Sequence, residues 1–191
     1  MTYPNAQTRI DSHLTEGKQV GTLYHWTDYQ SVKWILTDNA IEGYTGKSGI
    51  ITISATRDRQ LLFRKGAGFL RWRFVLDGDR ISDKYKIRPY AELGYARTGD
   101  SGSEAEQRVI LRPGQSLGPL KKYVMRLEHF GPVAFDDALD RAAYFKENGE
   151  KATMGEYGYK NSGDMWRDLF TAETVVLVRK LGIKLLRKRP L

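Results

Sequence analysis

The sequence predicts a single α+β domain, and three observations carry this prediction. Runs of β-branched and alternating apolar residues recur along the chain, the clearest being Ile50–Ser54 and Arg71–Leu76. Segments with apolar residues at helical spacing lie between and after these runs. No repeat, low-complexity segment or shift in composition divides the 191 residues. We therefore expect a loose N-terminal arm over residues 1–20 and one domain over residues 21–191.

The expected strands are short runs bounded by turn residues or by proline. In chain order they are Gly21–His25, Ile50–Ser54, Arg71–Leu76, Tyr85–Arg88, Gln107–Leu111, Tyr123–Leu127 and Ile183–Leu186. The sequence Asp77-Gly78-Asp79 is expected to stop the third of them. Residues 57–65 are expected to form a short helix or a lid-like loop, and residues 91–103 a loop.

Three longer segments are predicted to be helices. The first begins at a cap supplied by Thr27 or Asp28, runs to about Asp38 and ends at Asn39 in a left-handed conformation. The second covers residues 133–148. The third covers residues 164–181, where helical spacing of the large apolar residues and a terminal glycine favour a helix over a strand.

The charge of the chain favours a polyanionic partner. The formal net charge is +8 and the sequence pI is near 9.6, which indicates nucleic acid, DNA or RNA, first among partners. Much of the excess lies in a C-terminal tail, Lys184 to Arg189, and a merely solvated tail is the alternative interpretation. Both interpretations stay open at this point.

Composition also excludes several classes of site. The chain contains no cysteine, so it has no disulfide framework, cysteine nucleophile or thiolate zinc site. Its three histidines are too scattered in sequence to predict a metal site. The N-terminus has no apolar signal core and no segment approaches membrane-spanning length, so we expect a cytoplasmic protein without a membrane partner.

Glu104 and Glu106 are the first candidates for chemistry. They are two residues apart at the start of a predicted strand, so their side chains share a face and repel each other. A carboxylate at the mouth of a strand can hold a sugar hydroxyl and stabilise an oxocarbenium-like transition state. A solvated glutamate pair at a loop–strand junction is the alternative.

Two other groups lie at the ends of predicted strands. His25 and Thr27 end the first strand, where a histidine can donate to a ribose hydroxyl or a carbonyl. Ser54 and Thr56 end the second, and the adjacent Arg57 has the fork geometry that pairs with phosphate. A packed histidine and an ordinary strand end are the alternatives.

Taken together, these motifs resemble the ADP-ribosyltransferase family. A strand ending Tyr24-His25-x-Thr27 precedes a helix, a later strand ends Ser54-x-Thr56, and Glu104-x-Glu106 leads a third. The resemblance covers roughly residues 21 to 130. It is to the His-Tyr-Glu type with a Ser-x-Thr element, and small basic chains of this kind are similar to phage and toxin members.

The resemblance implies a split mixed β-sheet core with flanking helices and NAD as co-substrate. It implies that Glu106 is the catalytic glutamate, that Glu104 orients the acceptor, and that His25 holds a ribose hydroxyl of NAD. Thr27 would line the nicotinamide pocket.

Other members of the site follow from the same resemblance. Ser54 and Thr56 are similar to the Ser-Thr-Ser element of a related type. Tyr85 or Tyr90 would stack on nicotinamide, and Trp26 stands where many members have glycine.

The expected activity is transfer of ADP-ribose from NAD to a nucleic acid or a protein. Two alternatives remain from the sequence. One is a non-catalytic nucleic-acid-binding protein of the same fold that uses the region from Arg57 to Arg73 and the basic tail. The other is a tRNA 2′-phosphotransferase-like enzyme, which requires further basic phosphate ligands around the cleft.

Overall fold

The structure is a computed structural model that describes residues 20–45, 49–57, 59, 71–89, 106–131, 134–148 and 162–188. These ranges contain eight strands and five helices. The strands are β1 (Thr22–Thr27), β2 (Tyr44–Thr45), β3 (Ile51–Thr56), β4 (Trp72–Asp77), β5 (Lys86–Pro89), β6 (Glu106–Leu111), β7 (Val124–His129) and β8 (Leu185–Arg187). The helices are α1 (Tyr29–Asp38), α2 (Gly78–Ser82), α3 (Leu120–Tyr123), α4 (Phe135–Asn148) and α5 (Ser162–Leu181).

The strands form one mixed sheet in the order β5-β6-β3-β1-β4-β7-β8, with β2 beside β3. All pairings are antiparallel except that of β7 with β8. The α+β class predicted from the sequence is confirmed, and so is each predicted strand to within a few residues.

The sheet is weakly joined in its middle. β1 pairs with β4, and β3 with β6, over six residues each. Between β1 and β3 the described register contains one pair, Tyr24 with Thr56. Continuing that register would place Thr27 opposite Ile53, but no pairing is present there. The sheet therefore has two halves, β5-β6-β3 and β1-β4-β7-β8, which meet at a break in the strand pairing that we call the seam, formed by residues 25–27 and 53–55.

The two faces of the sheet differ in character. One face carries the hydrophobic core, and all five helices contribute to the same apolar cluster. Leu23, Ile53, Phe74, Val109 and Leu127 are among its sheet residues. The other face, which we call the polar face, carries the alternate side chains of the same strands.

The helices follow from local signals. Asp28 caps α1 by accepting from the backbone N–H of Gln30 and Ser31, and Asn39 ends it at φ 53°. Gly182, at φ 63°, follows α5, which confirms the helix predicted there.

The expected end of the third strand is confirmed, and the same residues have a second role. The sequence Asp77-Gly78-Asp79 ends β4 but also begins a helix, because the Asp77 carboxylate accepts from the N–H of Arg80 at 3.1 Å. Gly78 is required here because a Cβ would lie 2.3 Å from the carbonyl oxygen of Gly21.

The C-terminal tail contributes a strand to the sheet. Arg187 belongs to β8, in register with His129, and Lys188 donates its backbone N–H to the His129 carbonyl at 2.8 Å. The Lys188 ammonium lies 3.8 Å from Glu128. Within the expected basic tail, Lys184 to Arg189, residues 185–187 therefore belong to the sheet and Lys188 is bonded to β7.

Several predictions concern residues outside the described ranges. These are the N-terminal arm, most of the loop 57–70, the loop 91–103, Glu104 and Tyr90. Among the helices that the structure describes, none has both the length and the apolar character to cross a membrane.

Candidate functional site

Glu106 lies at the start of β6, on the polar face beside the seam. Its Oε1 accepts from the Ser54 hydroxyl at 2.9 Å and from Arg108 Nη2 at 2.7 Å. The register explains both contacts: Thr56 lies opposite Glu106, and Ser54 lies opposite Arg108. No described residue donates a hydrogen bond to Oε2. One carboxylate oxygen is thus fixed by two donors, while the other remains able to accept from a ligand.

His25 spans the seam. Its Nδ1 lies 2.7 Å from the backbone carbonyl oxygen of Ser54. Because a carbonyl only accepts, Nδ1 carries the proton, and in a neutral imidazole Nε2 is then an acceptor. The side chain is placed by β1, which pairs His25 with Phe74 of β4.

The charge state of His25 agrees with that tautomer. Burial lowers its pKa below the usual 6.5, the bond to the Ser54 carbonyl opposes this, and the Arg108 guanidinium lowers it further. The ring is therefore neutral at pH 7. A neutral ring with Nδ1 protonated accepts a hydrogen bond at Nε2, so donation from His25 to a substrate carbonyl, one of the roles expected from sequence, does not fit this arrangement.

Ser54 is the residue that connects the two groups. Strand alternation places Glu106 and Ser54 on the polar face and His25 with Phe74 on the core face. Ser54 contacts Glu106 through its hydroxyl and His25 through its carbonyl. The described residues show no direct hydrogen bond between His25 and Glu106, and Ser54 links these two side chains from the two faces of the sheet.

The structure places the other predicted site residues as follows. Thr27 is buried beside the seam and Thr56 is buried opposite Glu106. Arg57 follows β3 and is exposed, and it makes no hydrogen bond or ion pair with a described residue. Thr27 is thus part of the seam, and Thr56 lies next to it in register with Tyr24.

Tyr85 is not at the seam. It is 4% exposed, its hydroxyl donates to the Ser116 carbonyl at 3.0 Å, and its ring packs edge-on against Tyr123. Burial raises the pKa of Tyr85, with Tyr123 adding to the effect. The structure therefore assigns Tyr85 to the core instead of a cofactor pocket.

Trp26 belongs to the seam and is held by aromatic and cationic neighbours. Its ring packs against Phe130 at a centroid distance of 5.1 Å and lies 4.8 Å from the Arg73 guanidinium. Because it is the neighbour of His25 on β1, it lies on the opposite face, which is the polar face that also carries Ser54 and Glu106.

A second arginine–glutamate pair lies on the same polar face, in the other half of the sheet. Arg73 Nε donates to Glu128 Oε2 at 2.8 Å, and both side chains are fully buried. Tyr24, Trp26 and Phe130 surround the guanidinium at 4.7 to 4.8 Å. Arg73 Nη1 also donates to the carbonyl of Arg59 at 2.7 Å, which holds that point of the β3–β4 connection against the sheet.

The pKa shifts of this second pair indicate that both side chains stay charged and bonded to each other. Burial raises the pKa of Glu128, but hydrogen bonds from Arg126 and Arg73 outweigh burial, so the net pKa is lowered. Burial lowers the pKa of Arg73 while Glu128 opposes the change. Because Arg73 is fully buried, its guanidinium is not part of the exposed surface of the region from Arg57 to Arg73.

His129 forms an aromatic cluster on the core face. It stacks on Trp72 at 4.2 Å, and its Nε2 shares a 3.2 Å hydrogen bond with the Tyr29 hydroxyl. Burial lowers the pKa of His129 to about 3, and the charges of Arg187 and Arg71 contribute. His129 is thus a neutral packed residue. Among the described residues, no cluster of His, Asp and Glu could hold a metal ion.

Arg108 is the site residue that sequence reasoning missed. The signal was present, because Glu106 and Arg108 are two residues apart in a strand and must share a face. The Ser54 partner could not be read from the sequence, since it depends on the register between β3 and β6.

Comparisons of the chain with protein-family models, with curated protein sequences and with solved structures found no match. The contacts at the seam and the sequence motifs at His25, Ser54 and Glu106 are therefore the basis for a function.

Proposed function

We propose that this chain is an NAD-dependent ADP-ribosyltransferase that acts on a macromolecular acceptor. The observation that carries the proposal is the convergence of three motifs distant in sequence. Ser54 donates to Glu106 and accepts from His25, at the place where the two halves of the sheet separate. The proposal takes the mixed sheet of this chain to correspond to the split mixed sheet of that family.

In the proposed reaction, the bond between the nicotinamide nitrogen and the ribose C1′ breaks. Its electron pair leaves with nicotinamide, and positive charge develops on the ribose ring. Glu106 stabilises that charge through its carboxylate and accepts from the ribose 2′-hydroxyl. An acceptor nucleophile then bonds to C1′ and releases its proton.

The other residues position these groups. Ser54 and Arg108 hold Oε1 of Glu106, which directs Oε2 toward the ligand. His25 offers Nε2 as an acceptor for a second ribose hydroxyl. Because both groups are fixed before the substrate arrives, little reorganisation is needed in the transition state.

One experiment tests this proposal directly. The protein is incubated with NAD labelled on the adenylate part together with a cell lysate, and the labelled product is digested with nuclease or with protease. We expect a labelled macromolecule with the wild type and none with Glu106→Gln. Label transfer by both proteins would contradict the assigned role of Glu106, and the sensitive digestion identifies the acceptor class.

The phosphotransferase alternative has one observation in its favour, the guanidinium of Arg108 beside Glu106. That chemistry requires a 2′-phosphorylated RNA. Consumption of such an RNA only in the presence of NAD, without label on a lysate macromolecule, would favour it.

A further inference from the structure

The edge strand β5 and its neighbour β6 carry an unbalanced row of positive charge on the polar face. Arg88 lies directly opposite Arg108 in the register, and Lys86 lies opposite Ile110. Glu106, Arg108 and Ile110 share one face by alternation, so Lys86 and Arg88 share it too. The intervening Ile87 packs against the core, which confirms the orientation of its neighbours.

Among the residues that the structure describes, two of the three cations in this row have no acidic partner. Glu106 is paired with Arg108, and neither Lys86 nor Arg88 forms a hydrogen bond or ion pair with a described residue. Two like charges directly opposite each other on neighbouring strands destabilise a sheet. An anion seated against Arg88 and Arg108 removes that repulsion, so the pair itself indicates a negatively charged ligand.

The length of the row indicates the kind of anion. Along β6 the cationic positions extend from Arg108 to the position opposite Lys86, which is two residues or about 7 Å at the usual rise of a strand, and Glu106 lies two residues before Arg108. Cations at two levels this far apart can contact two successive phosphates of a strand, whereas the two phosphorus atoms of a diphosphate lie closer together. Lys86 is exposed and Arg88 is partly exposed at the sheet edge, where an extended strand has access.

We propose that Lys86, Arg88 and Arg108 form a binding strip for the phosphate backbone of single-stranded nucleic acid, leading to the seam at Glu106. Contacts of this kind position a strand without reading its sequence. That the bound strand is also the acceptor rests on the proposed function, whereas the binding itself does not.

The test compares two double variants that lose the same formal charge. Lys86→Gln/Arg88→Gln removes two charges from the strip. Lys146→Gln/Lys180→Gln removes two exposed charges from α4 and α5, on the other side of the sheet. The probe is a fluorescein-labelled single-stranded oligothymidylate, and its anisotropy is measured over a range of salt concentrations in the absence of NAD.

We expect the strip variant to bind the probe at least about tenfold more weakly at low salt. Its log–log salt slope should flatten by about 1.4, or about 0.7 for each lost single-strand contact. The control should keep the wild-type slope. The control variant should have the melting temperature of the wild type. The strip variant should have an equal or higher melting temperature, because Arg108 loses a like-charged neighbour.

Two results would overturn the inference. One is a wild type that does not bind the probe at low salt, and the other is an equal loss of affinity in both double variants. Since NAD is absent, a protein that binds through the strip but never releases nicotinamide retains this inference and loses the proposed transferase activity.

Discussion

Two arginine–glutamate pairs lie on the same face of one sheet, and they differ in how deeply they are buried. Arg73 and Glu128 are both fully buried, whereas Arg108 and Glu106 each keep 19% of their side-chain surface. Glu128 also faces Arg126 and Lys188, so both of its oxygens are engaged. Among the described residues, Glu106 has donors to one oxygen and none to the other. The comparison separates a carboxylate that holds the fold from one that, in the proposed function, carries the chemistry.

The largest expected effect lies in the buried pair. Glu128→Gln keeps the shape of the side chain but leaves the buried Arg73 guanidinium unpaired, which should lower the free energy of unfolding by about 3–5 kcal/mol. Glu106→Gln, as the matched change at the partly exposed pair, should cost no more than about 1 kcal/mol. Urea unfolding of both variants measures the difference. Equal losses of unfolding free energy in the two variants would show that the two pairs contribute equally to stability.

The pH dependence of stability tests another buried group, His129, which lies on the core face of the sheet. The pKa of His129 is lowered to about 3, so the folded state binds fewer protons than the unfolded state between that value and 6.5. The stabilising contribution is complete above pH 6.5 and falls by about 1.4 kcal/mol per pH unit as the pH drops toward 3.

His129→Phe keeps an aromatic ring against Trp72 but removes this titration. The variant should lose stability less steeply than the wild type over that pH range, whatever its stability at pH 7. Parallel curves of unfolding free energy against pH would show that His129 does not titrate in this way.

A smaller effect is expected from the hydroxyl that positions Glu106. Ser54→Ala removes one hydrogen bond to a carboxylate, worth about 1.5 kcal/mol, and should lower kcat for nicotinamide release about tenfold. Thr52→Ala is the control, since Thr52 lies on the same strand and face opposite Ile110. A similar kcat for the two variants would show that the Ser54 hydroxyl does not position Glu106 for the reaction.

The smallest expected effect concerns binding. His25→Ala removes the Nε2 acceptor, and the Kd for NAD should rise several-fold, about 1 kcal/mol, while kcat changes less. Titration calorimetry gives the affinity. An unchanged Kd together with a lower melting temperature would identify His25 as a packing residue alone.

Sequence reasoning predicted what depends on local patterns. The Asp28 cap, the end of α1 at Asn39 and the helix before Gly182 were all readable, because neighbouring residues determine them. The burial of Arg73 was not, since alternating charge at β4 is typical of a solvated face. Its burial depends on Glu128, 55 positions away.

The same limit applies to the candidate site. Glu106, Ser54 and His25 were identified as residues at strand ends, but their contacts depend on how β1, β3 and β6 are ordered in the sheet. Tyr85 was assigned to the site because no local signal distinguishes a stacking tyrosine from a core tyrosine. The hydrogen bond to Ser116 decided that question.

The central claim is that Glu106 carries chemistry and not stability. It is tested most directly by the rate of nicotinamide release from NAD by wild type and Glu106→Gln, with the unfolding free energies measured on the same samples. The account predicts a loss of about a hundredfold or more in rate and nearly equal stability. Wild-type turnover in Glu106→Gln, or no turnover in the wild type, would contradict it, and activity that depends on Glu104 instead would move the catalytic role there.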